Sequence, residues 1–309
     1  MRVLKVKTVL DNKRREEAKM KKETKMKKGT FCLMIVGCLM ALTLALSNVQ
    51  AEMVKDSLGR SVEKPQYGGT ITFVQTEGTF DPHGSQVAHD GLVFQGLLLW
   101  DYAKGPTGTG DYAFDGWFFP LEQKVGGLAE SWELINQTTA IYHIRKGVRW
   151  QKGAPVNGRE LVADDVVYSF KNSQDHPKSL MYKKPGKPRI TARALDKYTV
   201  EVKLPAPNVR GWNKIGNELI VIPPEVKAAG LNWDDWKTSV GTGTGPYILE
   251  KFVEGASYNF RRNPDYWQFD PLHPKNRLPY PDTMKGLVIT DLSTQLAALR
   301  TGKIDHLSA

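Results

Sequence analysis

Beyond residue 51 the sequence has no cysteine; both of its cysteines, Cys32 and Cys38, fall in one apolar run near the start. That absence excludes disulfides, zinc–thiolate centres and thiol nucleophiles from the body of the chain. Excess charge is missing from the body as well. The formal net charge is +10, but residues 1–30 hold 12 Lys/Arg against 4 Asp/Glu, and residues 31–51 hold none. The remaining 31 Lys/Arg against 29 Asp/Glu leave a nearly neutral body, which does not offer the clustered cations a nucleic-acid surface needs. No G-x-S-x-G occurs, and the six histidines never fall at H-x-x-x-H spacing. Ser61-Val62-Glu63-Lys64 matches S-x-x-K without an accompanying K-T-G, so it reads as coincidence. The glycine-rich segment 241–245 lacks the Lys-Ser/Thr of a phosphate loop and precedes a strand, so no helix N-terminus faces a phosphate there. The adjacent pairs Asp164-Asp165 and Asp234-Asp235 suit helix caps better than shared acid–base work, and His143, inside a strand, reads as structural. No enzyme emerges from these residues.

What is present begins with a leader. Residues 31–46 (FCLMIVGCLMALTLAL) are uninterrupted and apolar, preceded by a lysine cluster and followed by Ser47-Asn48-Val49-Gln50-Ala51. A charged start, an apolar centre and a small-residue exit read as a secretory signal peptide over residues 1–51. Translation is expected from Met20 or Met26, which leaves 1–19 outside the precursor. An uncleaved membrane anchor and lipid modification at Cys38 stay open as alternatives.

At 309 residues, 40% hydrophobic and 25% charged, the chain has ordinary globular composition and length for about two domains. Alternation of apolar and polar residues predicts strands over 69–75, 139–145, 198–204, 247–252, 257–261, 286–290 and 304–307. Helical spacing predicts helices over 87–99, 163–173 and 292–300, with Asp164 and Asp165 in a first turn that favours anions. Residues 101–123 read as a long surface loop. Its Trp117-Phe118-Phe119 run cannot face one core throughout, which leaves a ligand lid or interaction surface as the functional alternative. Residues 178–188 are a further loop, and Pro223-Pro224 marks a crossing point between lobes. Interleaved strands and helices give an α/β fold.

The ordered motifs resemble one family. They run Tyr67-Gly-Gly-Thr-Ile-Thr-Phe73 with Phe80-Asp-Pro-His83, Gln95-Gly-Leu-Leu98, and Leu128-Ala-Glu-Ser-Trp132 through Ile141-Tyr-His-Ile-Arg-Lys-Gly-Val-Arg-Trp150 to Ala163-Asp-Asp-Val-Val-Tyr-Ser169. Asp196-Lys-Tyr-Thr-Val-Glu-Val202, Gly243-Thr-Gly-Pro-Tyr247, Arg262-Asn-Pro-Asp-Tyr-Trp267 and Ala297-Ala-Leu-Arg-Thr-Gly-Lys-Ile-Asp305 follow. This order resembles the extracytoplasmic solute-binding proteins of family 5, the oligopeptide- and dipeptide-binding receptors of ABC importers. The resemblance implies a periplasmic-binding-protein type II-like lobe with a mixed sheet plus a smaller α/β subdomain, the second lobe being missing from this chain. Lobe I is expected over 52–94 and 223–309, incomplete, with the subdomain inserted at 95–222.

It further implies a receptor that closes by a hinge on a small peptide or similar solute and delivers it to a membrane permease. Backbone hydrogen bonding would give breadth of ligand. The protein is expected to be a monomer outside the cytoplasm, with no cofactor, no metal and no nucleic-acid partner. In oligopeptide-binding relatives the loop after Asp-Pro-His lends backbone groups to the ligand; here that loop is Gly84, Ser85, Gln86 and Val87, shorter than in those relatives. Tyr182 stands at the spacing of a cleft tyrosine, with an exposed loop tyrosine as the alternative. The Trp117 loop looks like an insertion relative to those receptors. Because the chain ends where the second lobe is expected, an exposed apolar cleft face and weak binding follow. A nickel-chelate or oligosaccharide receptor, a secreted hydrolase and a noncatalytic surface protein are the alternative functions.

Overall fold

The computed structural model describes residues 51–75, 77–78, 80–84, 91–105, 108–112 and 121–307. The leader, Ser85, Gln86, Val87 and Trp117-Phe118-Phe119 lie outside the described residues. The chain forms two units, Met1–Val54 and Lys55–Ala309, and the second carries the fold. No helix among the described residues is long and apolar enough to cross a membrane.

In chain order the main strands are β1 (Thr70–Gln75), β2 (Gln95–Gly96), β3 (Leu98–Trp100), β4 (Lys124–Gly126), β5 (Ala129–Asn136), β6 (Thr139–Ile144), β7 (Thr191–Asp196), β8 (Thr199–Lys203), β9 (Ile220–Val221), β10 (Tyr247–Val253), β11 (Ser257–Arg262) and β12 (Thr283–Val288). The helices are α1 (Ala163–Asp175), α2 (Val209–Glu218), α3 (Pro224–Ala228) and α4 (Leu292–Arg300).

One four-stranded sheet has the order β10-β11-β12-β1. Its first two pairings are antiparallel and β12–β1 is parallel, with Met284 opposite Ile71 and Gly286 opposite Phe73. Alternation turns Tyr258 and Phe260 of β11 inward, and they join Phe80, Val93, Phe94, Ile222, Tyr247 and Leu249 in one core. After β12 the chain enters α4, where the Asp291 carboxylate accepts from the Thr294 amide (2.8 Å) and hydroxyl (2.6 Å) as an N-cap. The expected strand over 304–307 is reduced to one bridge, His306 to Phe73, beside β1. α4 buries none of its residues, and Leu292 is 62% exposed.

A second, wholly antiparallel sheet has the order β5-β6-β8-β7. Tyr142, Ile144, Val200 and Val202 face α1, whose Val166 and Phe170 are buried against them in a separate core. Asp165 in the first turn of α1 accepts from the Val162 amide (3.0 Å) and receives the Arg159 guanidinium at 2.6 and 2.8 Å. The same guanidinium reaches Glu225 of α3 (2.8 Å to Oε2), so one cation ties the two helices.

The helix expected over 87–99 is not formed in its described part. Residues 95–100 are strands instead: β2 pairs with β9 and β3 with β4, both antiparallel. Gly91 sits at φ +73, outside the helical region. The Leu92 and Val93 carbonyls accept from the Tyr247 and Gly245 amides at 2.9 and 2.8 Å, so their hydrogen bonds are spent on distant partners. The apolar spacing reflected burial on two sides rather than one helical face.

The glycine-rich segment before β10 is a backbone crossing. A Cβ on Gly243 would stand 1.9 Å from the Val93 carbonyl oxygen, and one on Gly245 2.4 Å from that of Leu92. On its other side the segment is bonded by Gln151 N to Gly243 O (2.8 Å) and Gly153 N to Gly241 O (2.9 Å). Gly243→Ala is therefore expected to lower unfolding free energy by more than about 3 kcal/mol, since only backbone can give way. Urea unfolding measures it, with Gly255→Ala, where nothing lies within 4 Å, as the milder control.

Candidate functional site

A cavity of about 930 Å³ opens beside this crossing. Its floor comes from β2 and β3, one flank from β4 and the end of α2, and the other from the loop between β11 and β12. Phe94, Leu98, Trp100, Tyr102 and Leu272 give it apolar surface, and Pro82, Pro246, Pro271, Pro279 and Pro281 stiffen its wall. Among the described residues, no Ser, Thr or Cys lines it.

Polar groups are few and held in place. Gln95 is buried: its amide donates to the Tyr266 hydroxyl (2.8 Å), and its carbonyl accepts from the Trp267 indole (3.1 Å). The Tyr266 hydroxyl donates in turn to the Gln268 side-chain oxygen (2.7 Å), and burial pushes that phenol well above its ordinary pKa. Arg145 lies over the Trp267 ring at 4.5 Å and donates to the Gly127 carbonyl (3.0 Å). Lys124, 7% exposed, stands opposite Trp100 across the β3–β4 pair with Nζ 5.4 Å from the ring. Burial lowers its pKa to about 8. Glu218, paired with Lys214 at 3.1 Å, is pushed upward by burial. The cavity thus presents Lys124 together with the carboxylic groups of Glu218 and Asp270 on a largely apolar wall, the composition of a small-molecule site.

At one end of the wall Asp81, His83 and His176 meet. His83 Nδ1 lies 2.6 Å from Asp81 Oδ1, and His176 Nε2 lies 3.5 Å from Asp81 Oδ2. The two rings stack at 4.1 Å with an interplanar angle of 19°. Burial pushes the Asp81 carboxyl up, but hydrogen bonds from His83 and attraction to both imidazoles outweigh it and hold the group at about 2. Burial and the neighbouring His83 draw His176 down, against the pull of Asp81.

Of the ligand-binding residues expected from sequence, Gly84 lines the cavity, and Ser85, Gln86 and Val87 lie outside the described residues. Tyr182 sits half-buried in a turn after α1, its amide bonded to the Ser179 carbonyl (3.0 Å), and is not among the lining residues. Linear spacing missed the His83–His176 pair, because only folding brings the segment after α1 to the Asp-Pro-His turn. It also missed Gln95 and Lys124, which carry no motif. Asp235 caps the turn that follows it, accepting from Lys237 (3.0 Å), whereas Asp234 pairs with Lys178 (2.7 Å). His143 is surface-facing on β6, 3.6 Å from Glu133.

Replacing Gln95 by Met strands the Trp267 indole and the Tyr266 hydroxyl. A stability loss of about 2 kcal/mol is expected, and tryptophan emission and thermal melts report it.

Comparisons with known proteins place this geometry. The family model described as "Bacterial extracellular solute-binding proteins, family 5 Middle" matches residues 123–309. The di/tripeptide-binding protein 1 of Pseudomonas aeruginosa is 27% identical over 193 residues, 57% of this chain and 35% of its own length. The periplasmic oligopeptide-binding protein OppA of Salmonella typhimurium is 25% identical over 295 residues, 85% of this chain and 48% of the relative. The chain thus spans at most about half the length of these relatives. Among solved structures, the periplasmic binding protein DppA of Helicobacter pylori in complex with the peptide STSA superposes with a TM-score of 0.57 at 22% identity. That match covers 77% of this chain and 46% of the neighbour, and it identifies the periplasmic-binding-protein type II fold. The family match extends over more than half of the sequence and takes in the whole antiparallel sheet and three of the four strands of the mixed one: the chain belongs to the bacterial extracellular solute-binding proteins of family 5.

Proposed function

We propose that this chain is the capturing part of a peptide receptor that serves an ABC importer outside the cytoplasm. The observation that carries this reading is the cavity: about 930 Å³, largely apolar, stiffened by proline and carrying Lys124 and Glu218. That volume lies at the upper end of the roughly 300–1,000 Å³ usual for small-ligand sites. A lysine and a glutamic acid on one wall complement the carboxylate and amine of a short peptide, and aromatic surface accepts its side chains without selecting one. The peptide-binding names of the relatives point the same way.

The domain division into 52–94 with 223–309 and an inserted 95–222 is supported by the two cores. One draws its buried residues from Leu97 to Val221, the other from Phe80 to Phe94 and from Ile222 to Phe260. Gly84, Ser85, Gln86 and Val87 continue directly from the cavity-lining Asp81–His83 turn, which supports their role in holding ligand backbone. Tyr182 belongs to the same reading only if closure carries its turn inward. In this proposal a monomer, freed of its leader, closes with the rest of the receptor on the peptide and docks on the permease.

Titration calorimetry of the full chain against di-, tri- and longer peptides tests it. Saturable heat with some peptide class is expected; no heat with any peptide, or turnover of one, overturns the reading. Lys124 is cationic below about 8, so affinity for peptides with a free carboxylate is expected to fall as pH rises through that value. Lys124→Met is expected to weaken binding at neutral pH by at least about tenfold and to flatten that pH dependence. Calorimetry across pH 6–9 checks both.

A further inference from the structure

We propose that Asp81, His83 and His176 form a binding site for a divalent transition-metal ion of the zinc type. One donor atom from each lies within 4.8 Å of the other two. The Asp81 and His83 side chains are each 3% exposed and that of His176 31%, so the cluster is sheltered but reachable. Both imidazoles share one pattern: one nitrogen faces the Asp81 carboxylate, and the other has no hydrogen-bond partner although it is buried. Those free nitrogens are His83 Nε2 and His176 Nδ1. The two nitrogens that face the carboxylate are the ones that can ligate an ion together with it, the ring protons then resting on His83 Nε2 and His176 Nδ1.

Donors around a tetrahedral zinc ion stand about 3.3 Å apart, from bond lengths of about 2.0–2.1 Å. Closing from 4.8 Å therefore asks an approach of about 1.5 Å at most, which the partly exposed His176 ring can supply. Other groups act on Asp81 as well. Its Oδ1 accepts from the His83 amide (3.0 Å), which stays in place, and Lys178 Nζ stands 3.6 Å from its Oδ2. An arriving cation displaces that lysine, which keeps its 2.7 Å contact with Asp234. Three protein donors leave a fourth position for water or for a donor atom of a solute, and His83 belongs to the cavity wall. Mixed nitrogen and oxygen ligation favours zinc, nickel or copper over calcium or magnesium. The proposal stands on these three side chains and does not depend on the peptide reading.

The test is zinc titration of the full chain, prepared without a histidine tag and stripped with chelator, by calorimetry in the absence of peptide. Cobalt(II) absorption serves as a second readout. One equivalent of zinc at micromolar affinity or tighter is expected, with visible cobalt bands of tetrahedral intensity. His176→Gln and Asp81→Asn are each expected to weaken zinc at least about tenfold. Circular dichroism confirms that each variant is folded, and if Asp81→Asn is not, His176→Gln decides alone. No zinc binding by the parent chain overturns the proposal. Zinc affinity unchanged in folded His176→Gln, which would place the ion elsewhere, overturns it equally.

Discussion

The backbone crossing at Gly241–Pro246 is the constraint on which the rest depends. Three stretches of main chain meet there: the Leu92–Val93 turn, the Gln151–Gly153 segment and the entry to β10. None leaves room for a Cβ at Gly243. Carbonyls buried at such a junction need donors. Gln151 supplies one amide to Gly245 (3.2 Å) and Tyr247 (2.8 Å), and Asn263 supplies another to Gly245 (3.0 Å). The junction holds the mixed sheet against the antiparallel one. Pro246, Phe94 and Gln95 border it directly, so the cavity takes its shape from it.

A second tie is ionic. Arg159 sits between the nearly buried Asp165 and the half-exposed Glu225, joining α1 to the helix that opens after Pro223-Pro224. Such an arrangement adds less net stability than its contacts suggest, because desolvation opposes it. What it does supply is orientation, since a planar guanidinium satisfies both carboxylates only when the helices keep one relative position.

Much of the architecture was legible in local pattern. The alternation in β6, β8 and β11 comes from one buried face, and α4 agrees residue for residue because Asp291 and the Thr301-Gly302 stop bracket the helix. The segment around Leu92–Leu99 misled for a physical reason. It is buried on both sides, so its apolar residues carry no usable period, and Gly91 and Gly96 were the only hints of its extended path. Residues 304–307 alternate as a strand should but find a partner at only one position. Of the site, the Asp81-Pro82-His83 turn was readable as a motif. Lys124 and Gln95 were not, because their importance lies in which wall they face, and His176 joins its cluster only through tertiary packing. Glycines 241–245 were correctly separated from phosphate binding, and their purpose, close passage of main chains, becomes visible only with the neighbours present.

The prolines of the cavity wall bear on breadth of recognition. A lining whose torsions are set in advance neither collapses when empty nor moulds itself around an occupant. Differences among guests must then be absorbed by side chains such as Trp100, Tyr102 and Leu180 and by displaced or retained solvent. In the proposed peptide reading, such a compartment discriminates by overall dimensions and end charges and tolerates variety in between.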